Sequence, residues 1–184
     1  MTRIISGRAG SLPLAVPDAG TRPTSDRVRE SLFGALEASG LVDGAAVLDL
    51  YAGSGALGLE AISRGAASAD LVEKSARAAA VAERNLRAVA RAVPGAVGRV
   101  HRGSAEAFLR STPREFDLVF VDPPYALEDA ELQATLALLV PRLAESATVV
   151  IERSTRSGEP ALPEGLTRER SRAYGDTTLW WASA

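Results

Sequence analysis

One stretch, "AVLDLYAGSGALGL" at residues 46–59, limits the fold of this chain more than any other. "AVLDLY" is an apolar strand, and Gly53, Gly55 and Gly58 follow it in G-x-G-x-x-G spacing just as a helix opens. A strand that turns through glycines into a helix buries little by itself. It needs a parallel partner strand and a sheet face for the helix to cover.

The rest of the chain supplies both. "SADLVE" reads as a strand, residues 75–93 as an Ala-rich helix ended by Pro94–Gly95, and "VGRVHRG" as a strand. "AEAFLRS" follows as a short helix, "FDLVFV" as a strand, residues 127–143 as a helix and "ATVVIER" as a strand. The end, "TRERSRAYGDTTLWWAS", predicts a hairpin turning at Gly175–Asp176, with the last strand antiparallel. Before the alternation come "RIISG" and "LPLAV", a small hairpin or arm around Gly7–Gly10. In "RPTSDRVRESLFGALEASG", Thr24 or Ser25 caps a helix with Val28, Leu32, Phe33 and Leu36 on one face and Gly40 as its stop. The expected architecture is α/β and Rossmann-like: a seven-stranded, mostly parallel sheet with an antiparallel last strand, plus a small N-terminal β-hairpin and helix. Residues 1–40 form the extension and 41–184 the main domain.

Apolar residues make up 46% of the 184, enough for a sizeable core. With no cysteine, disulfides and thiolate metal sites are excluded, which fits the cytoplasm. No metal site is expected. "MTRIISGRAG" has no apolar secretory core, and no apolar run has the roughly 20 residues that span a bilayer. Net charge is −2, yet arginines cluster: Arg3, Arg8, Arg22, Arg27 and Arg29 near the start, and Arg84, Arg87, Arg91, Arg99 and Arg102 later. Such patches permit a polyanionic partner without requiring one. Arg84, Arg87 and Arg91 share one helix face, for which a solvated exterior is the simpler reading. His101, the lone histidine, is expected to be structural.

In open α/β sheets ligands sit beyond the carboxyl ends of the strands. Glu73 ends the second strand, 20 residues after Gly53, where a carboxylate can accept both ribose hydroxyls. Asp49 lies inside the first strand, where a nicotinamide site usually has apolar residues, and suits an ammonium group. After "FDLVFV" come Asp122, Pro123, Pro124 and Tyr125. Proline lacks an N–H and fixes φ, so this turn is stiff and presents acceptors. The Asp122 carboxylate and the Pro123 carbonyl can hold one exocyclic NH2, and Tyr125 can stack on its base.

"DPPY" together with "DLYAGSGALGLEA" resembles class I S-adenosylmethionine-dependent methyltransferases acting on exocyclic or amide nitrogens. "RIISGRAGSLPL" and "TRPTSDRVRESLFGAL" narrow the resemblance to the RsmD family, bacterial small-subunit rRNA guanine-N2 methyltransferases, over essentially the full chain. The resemblance implies S-adenosylmethionine as cofactor, S-adenosylhomocysteine as product, and 16S rRNA in the small ribosomal subunit as partner. It implies catalysis by Asp122, Pro123, Pro124 and Tyr125. It implies cofactor contacts from Asp49, Tyr51, Gly53, Ser54, Gly55, Gly58, Glu73, Lys74, Ser75, Ser104 and Ala105. Ser104 stands where related folds often place an Asp facing the adenine amine. RNA contacts are implied for Arg3, Arg8, Arg22, Thr24, Arg27 and Arg29. The chain is expected to act as a monomer, away from membranes.

Three other readings compete. An adenine-N6 methyltransferase usually needs a target-recognition insert, for which the chain has no spare length. A nicotinamide oxidoreductase predicts a second substrate domain. A non-catalytic ribosome-assembly protein would tolerate loss of Asp122.

Overall fold

The computed structural model describes residues 2–17 and 25–184. Its main sheet has seven strands: β3 (Ala46–Asp49), β4 (Ser68–Glu73), β5 (Gly98–Arg102), β6 (Phe116–Val121), β7 (Leu143–Ser154), β8 (Thr167–Tyr174) and β9 (Thr177–Ser183). Their order is β5-β4-β3-β6-β7-β9-β8. Strands β3 to β7 pair in parallel, and β9 runs antiparallel between β7 and β8. The order reverses between β3 and β6, so their carboxyl ends flank the switch point where such sheets take ligands. There the chain splays: Leu50 N–H donates to Phe120 O on β6, while Ala52 N–H donates to Val72 O on β4.

The period-two pattern of the strands sorts the core into two layers. Val47, Leu71, Leu118, Phe120, Val150, Leu179 and Trp181 face one side. That side is covered by α1 (Asp26–Ala38), α2 (Ala56–Ser63) and α3 (Ala76–Ala92). Leu48, Val72, Val119, Val121, Val149 and Ile151 face the other, under α4 (Ala105–Ser111) and α5 (Asp129–Leu139). Trp181 joins the first layer and Trp180 packs against the second, as alternation along the last strand requires.

The arm is smaller than a full hairpin. Its strands, β1 (Thr2–Arg3) and β2 (Pro13–Leu14), have two residues each. It is held mainly by α2. Ile5 and Ser6 N–H donate to the two carboxylate oxygens of Glu60 at 2.7 and 3.0 Å, and Ala9 N–H donates to Ser63 Oγ at 2.9 Å. Gly7, at φ +83°, lies so close to α2 that a Cβ would sit 2.1 Å from the Ser63 carbonyl oxygen. Helix α1 is capped by Ser25, whose hydroxyl accepts from Val28 N–H. It buries Leu32, Phe33 and Leu36, each contributing roughly 1.5–3 kcal/mol by removal from water.

The helix expected over 127–143 is shorter. Glu128 and Glu131 form a capping box at its start, and Pro141 turns its end into a 3-10 segment over Val140–Arg142. Strand β7 consequently starts at Leu143 and is longer than "ATVVIER" suggested. His101 has the structural place expected of it. Its Nε2 lies 2.7 Å from Asp70, a buried carboxylate that also accepts from Arg114 at 2.6 Å.

Candidate active site

Asp49, Glu73 and Asp122 gather at the carboxyl end of the sheet because their strands are neighbours. Asp49 is level with Leu71 on one side and Phe120 on the other. Glu73 and Asp122 each lie two residues further along, and two strand spacings, about 10 Å, separate their backbones.

The glycine loop explains itself position by position. Gly53 (φ +55°) and Gly55 (φ +81°) adopt left-handed backbone. A Cβ on Gly53 would meet nothing within 4 Å, so the loop faces open space there. A Cβ on Gly58 would lie 2.2 Å from Leu71 Cδ2, so this glycine lets α2 approach β4. Glu73 braces the loop: one carboxylate oxygen accepts from Gly53 N–H at 2.9 Å, the other from Ser75 N–H at 2.7 Å. Each oxygen keeps a second lone pair for a ligand hydroxyl.

Asp49 is 1% exposed. Its Oδ2 accepts from Gly58 N–H at 3.2 Å, while its Oδ1 is buried with no hydrogen-bond partner among the described residues. Burial pushes this carboxyl up to about 7, against the Gly58 hydrogen bond, and the Glu73 charge adds to the rise. An orphaned buried carboxylate oxygen is costly unless a donor or cation meets it. It therefore fits a ligand ammonium, and the open space above Gly53 fits a ligand backbone.

The other expected cofactor residues are placed as follows. Ser54 is buried, with its carbonyl turned inward. Lys74 and Ser75 are exposed after β4, and Ser75 caps α3 by accepting from Ala78 N–H. Ser104 caps α4, accepting from Ala107 N–H at 3.1 Å, and Ala105 is buried beneath it. The Tyr51 ring packs with the layer under α4 and α5, where burial pushes its hydroxyl up.

Asp122 is half-buried, Pro123 buried and Pro124 exposed at the end of β6. Leu127 N–H donates to Pro124 O at 2.9 Å, closing a turn that projects Tyr125, 63% exposed, into solvent. Arg153 holds the turn from β7. It is 6% exposed, donates to Leu127 O at 3.3 Å from both terminal nitrogens, and meets Asp129 at 2.7 Å.

Sequence reasoning missed two residues. Arg153 reads as one more charge at the end of "ATVVIER". Asn85 is hidden in an Ala-rich helix, yet it donates to Ser54 O at 2.9 Å and to Ala15 O at 2.8 Å and accepts from Ala15 N–H at 2.9 Å. The only signal for either was a polar residue at a position whose periodicity pointed inward.

The expected RNA contacts divide. Arg3, Arg8 and Arg27 are exposed, Arg3 lying 3.9 Å from Asp26. Arg29 is the exception. It is fully buried, donating to Arg3 O at 2.8 Å and to Asp26 at 2.7 Å, so its guanidinium ties α1 to the arm instead of facing a phosphate. Arg22 and Thr24 lie outside the described residues.

Known proteins resemble this chain in sequence and in fold. The family model described as Conserved hypothetical protein 95 matches residues 2–183. Ribosomal RNA small subunit methyltransferase D of Escherichia coli (strain K12) is 40% identical over 176 residues, covering 94% of this chain and 85% of the relative. Its namesake from Haemophilus influenzae is 33% identical over 178 residues, covering 94% and 89%. The solved structure of the Escherichia coli protein yhhF superposes with a TM-score of 0.85 at 34% identity, covering 98% of this chain and 96% of that one. The chain belongs to the RsmD family of methyltransferases.

Proposed function

We propose that this protein transfers a methyl group from S-adenosylmethionine to the exocyclic N2 of a guanine in small-subunit ribosomal RNA, acting as a cytoplasmic monomer on the assembled or assembling particle. The observation that carries the reading is the pairing, across β3 and β6, of an orphaned buried carboxylate with an acceptor-rich turn that ends in an exposed ring. The names of the relatives support rRNA as substrate.

When bound, the cofactor supplies an electrophilic methyl on sulfur. The chain's residues do the rest. Asp49 would hold the ammonium of the methionine portion, the Gly53–Gly58 backbone would line the methionine and sugar, and Glu73 would accept from the ribose hydroxyls. The Asp122 carboxylate and Pro123 carbonyl accept the two N–H groups of the guanine amine. This fixes the nitrogen and draws its lone pair out of conjugation, toward the methyl. Asp122 receives the amine proton as the nitrogen takes the methyl, whose bond to sulfur breaks to leave neutral S-adenosylhomocysteine. Tyr125 stacks on the extruded base. Arg3, Arg8 and Arg27, on the extension of residues 1–40, contact phosphates and fix register.

An Asp122→Ala chain tests this against a non-catalytic role. Methyl transfer to small subunits falls to background while S-adenosylhomocysteine binding stays within a few-fold of wild type. Undiminished transfer would overturn the assignment.

A further inference from the structure

The edge strand β8 carries arginines that the site above does not use. Every residue of it from Thr167 to Ala173 is exposed, and it ends the seven-stranded sheet. A bulge between Arg168 and Arg170 sorts its charges. Arg168 sits opposite Ala182 and pairs with Glu159 at 3.0 Å. Arg170 sits opposite Trp181, its guanidinium 4.7 Å from that ring's centroid, and Arg172 lies 5.1 Å from the Tyr174 ring. Trp181 and Tyr174 belong to the layer under α1, so both arginines share the face that carries α1 and the arm.

Three relationships give this pair a partner. The first is position. Val121 is level with Ile151, Ile151 with Trp180 and Trp180 with Ser171, and β8 runs in the same direction as β6. Arg172 therefore stands level with Asp122, three strand spacings or about 14 Å away, at the same end of the sheet. The second is continuity. Ser31 Oγ lies 2.8 Å from Tyr174 Oη, and exposed Arg27 is one helical turn before Ser31 on the same face of α1. Arg27, Arg172 and Arg170 thus form one strip. The third is chemistry. An edge strand needs charge only to discourage pairing with another strand. A guanidinium laid on a ring is held in place while its N–H edge stays available to phosphate oxygens.

We propose that Arg170 and Arg172 form a second RNA-backbone contact, holding phosphates that flank the nucleotide presented at Tyr125. It rests on the rRNA reading above. The test measures binding of the full chain to a small-subunit rRNA fragment across a salt series, with methyl-transfer kinetics on small subunits. In Arg170→Ala/Arg172→Ala, the slope of log affinity against log salt becomes shallower by about two, one per lost phosphate contact. KM for subunits rises, kcat at saturation is kept and S-adenosylhomocysteine affinity is unchanged. Arg170→Lys/Arg172→Lys keeps the slope. Should the double variant lose cofactor binding, single Arg172→Ala reads the same effect as a slope change of about one. An unchanged slope and KM in variants that still bind cofactor would overturn the proposal. So would a wild-type dimer in sedimentation that these substitutions dissociate, since the edge would then belong to a second copy. A wild type that neither binds nor methylates rRNA would sink this proposal together with the function above; an active wild type with an indifferent variant sinks this one alone.

Discussion

Arg153 Nη2 donates to Asp129 Oδ1 at 2.7 Å, and this contact fixes where the turn after β6 stands. The arginine rises from β7, the acid begins α5, and the Pro124–Leu127 turn is clamped between them through Leu127 O. Stiff prolines alone would shape the turn without aiming it. Arg153→Leu should lower kcat for methyl transfer by roughly 10²-fold, the usual penalty of misplacing a reacting group by an ångström. S-adenosylhomocysteine affinity should change little, because the glycine loop lies on the other side of β3. A variant that loses cofactor binding and kcat together would show a general structural role instead.

With Asp49 on the cofactor ammonium, as proposed, cofactor binding is expected to depend on pH. Its folded carboxyl is raised by burial to about 7 from 3.8. The folded state therefore holds this proton between those values while the unfolded state has released it, and the Asp49 contribution to stability declines as pH rises through that window. A cationic ammonium needs the ionised form, so affinity for S-adenosylhomocysteine should strengthen by about tenfold from pH 6 toward pH 7.5 and then level off. Asp49→Asn should bind weakly with no such trend. Calorimetric titration at several pH values checks both.

Asn85 joins the arm to the glycine loop through three hydrogen bonds with Ala15 and Ser54. Asn85→Leu strands the buried Ser54 carbonyl, at about 1–3 kcal/mol, and unpairs the half-buried N–H and carbonyl of Ala15 at a smaller cost. The expected result is a lower Tm with weakened cofactor binding. Intact cofactor affinity beside a lowered Tm would show that the loop does not depend on this link.

Gly7→Ala tests the docking of the arm. The new methyl would meet the Ser63 carbonyl at 2.1 Å, and the φ of +83° strains any other residue. A loss of about 1–3 kcal/mol is expected from backbone strain alone, read as a fall in Tm. Unchanged melting would mean that the arm does not pack on α2 in solution.

The strand–helix order is legible because β3, β4, β6 and β7 carry apolar runs bounded by glycine, proline or a charged residue, whereas the exposed, arginine-bearing β8 is marked only by the Gly175–Asp176 turn that joins it to β9. The sheet-end residues are legible because the topology permits few places for Asp49, Glu73 and the "DPPY" turn. What the sequence conceals depends on contacts between distant segments. Arg29 reads as a surface charge in sequence, since its burial goes with a contact to the Arg3 carbonyl of the distant arm, which no local pattern encodes. Arg153 and Asn85 are single polar residues whose partners lie 24 to 70 positions away. Helix α5 ends at Leu139 for a local reason, Pro141, which is visible in the sequence.

Incubation with labelled S-adenosylmethionine and small ribosomal subunits from cells lacking the modification, followed by nucleoside digestion, decides whether the chain methylates guanine N2 in the subunit RNA. Label is expected in N2-methylguanosine and is lost in Asp122→Ala. Label in N6-methyladenosine, or in ribosomal protein and not RNA, would contradict the proposed function.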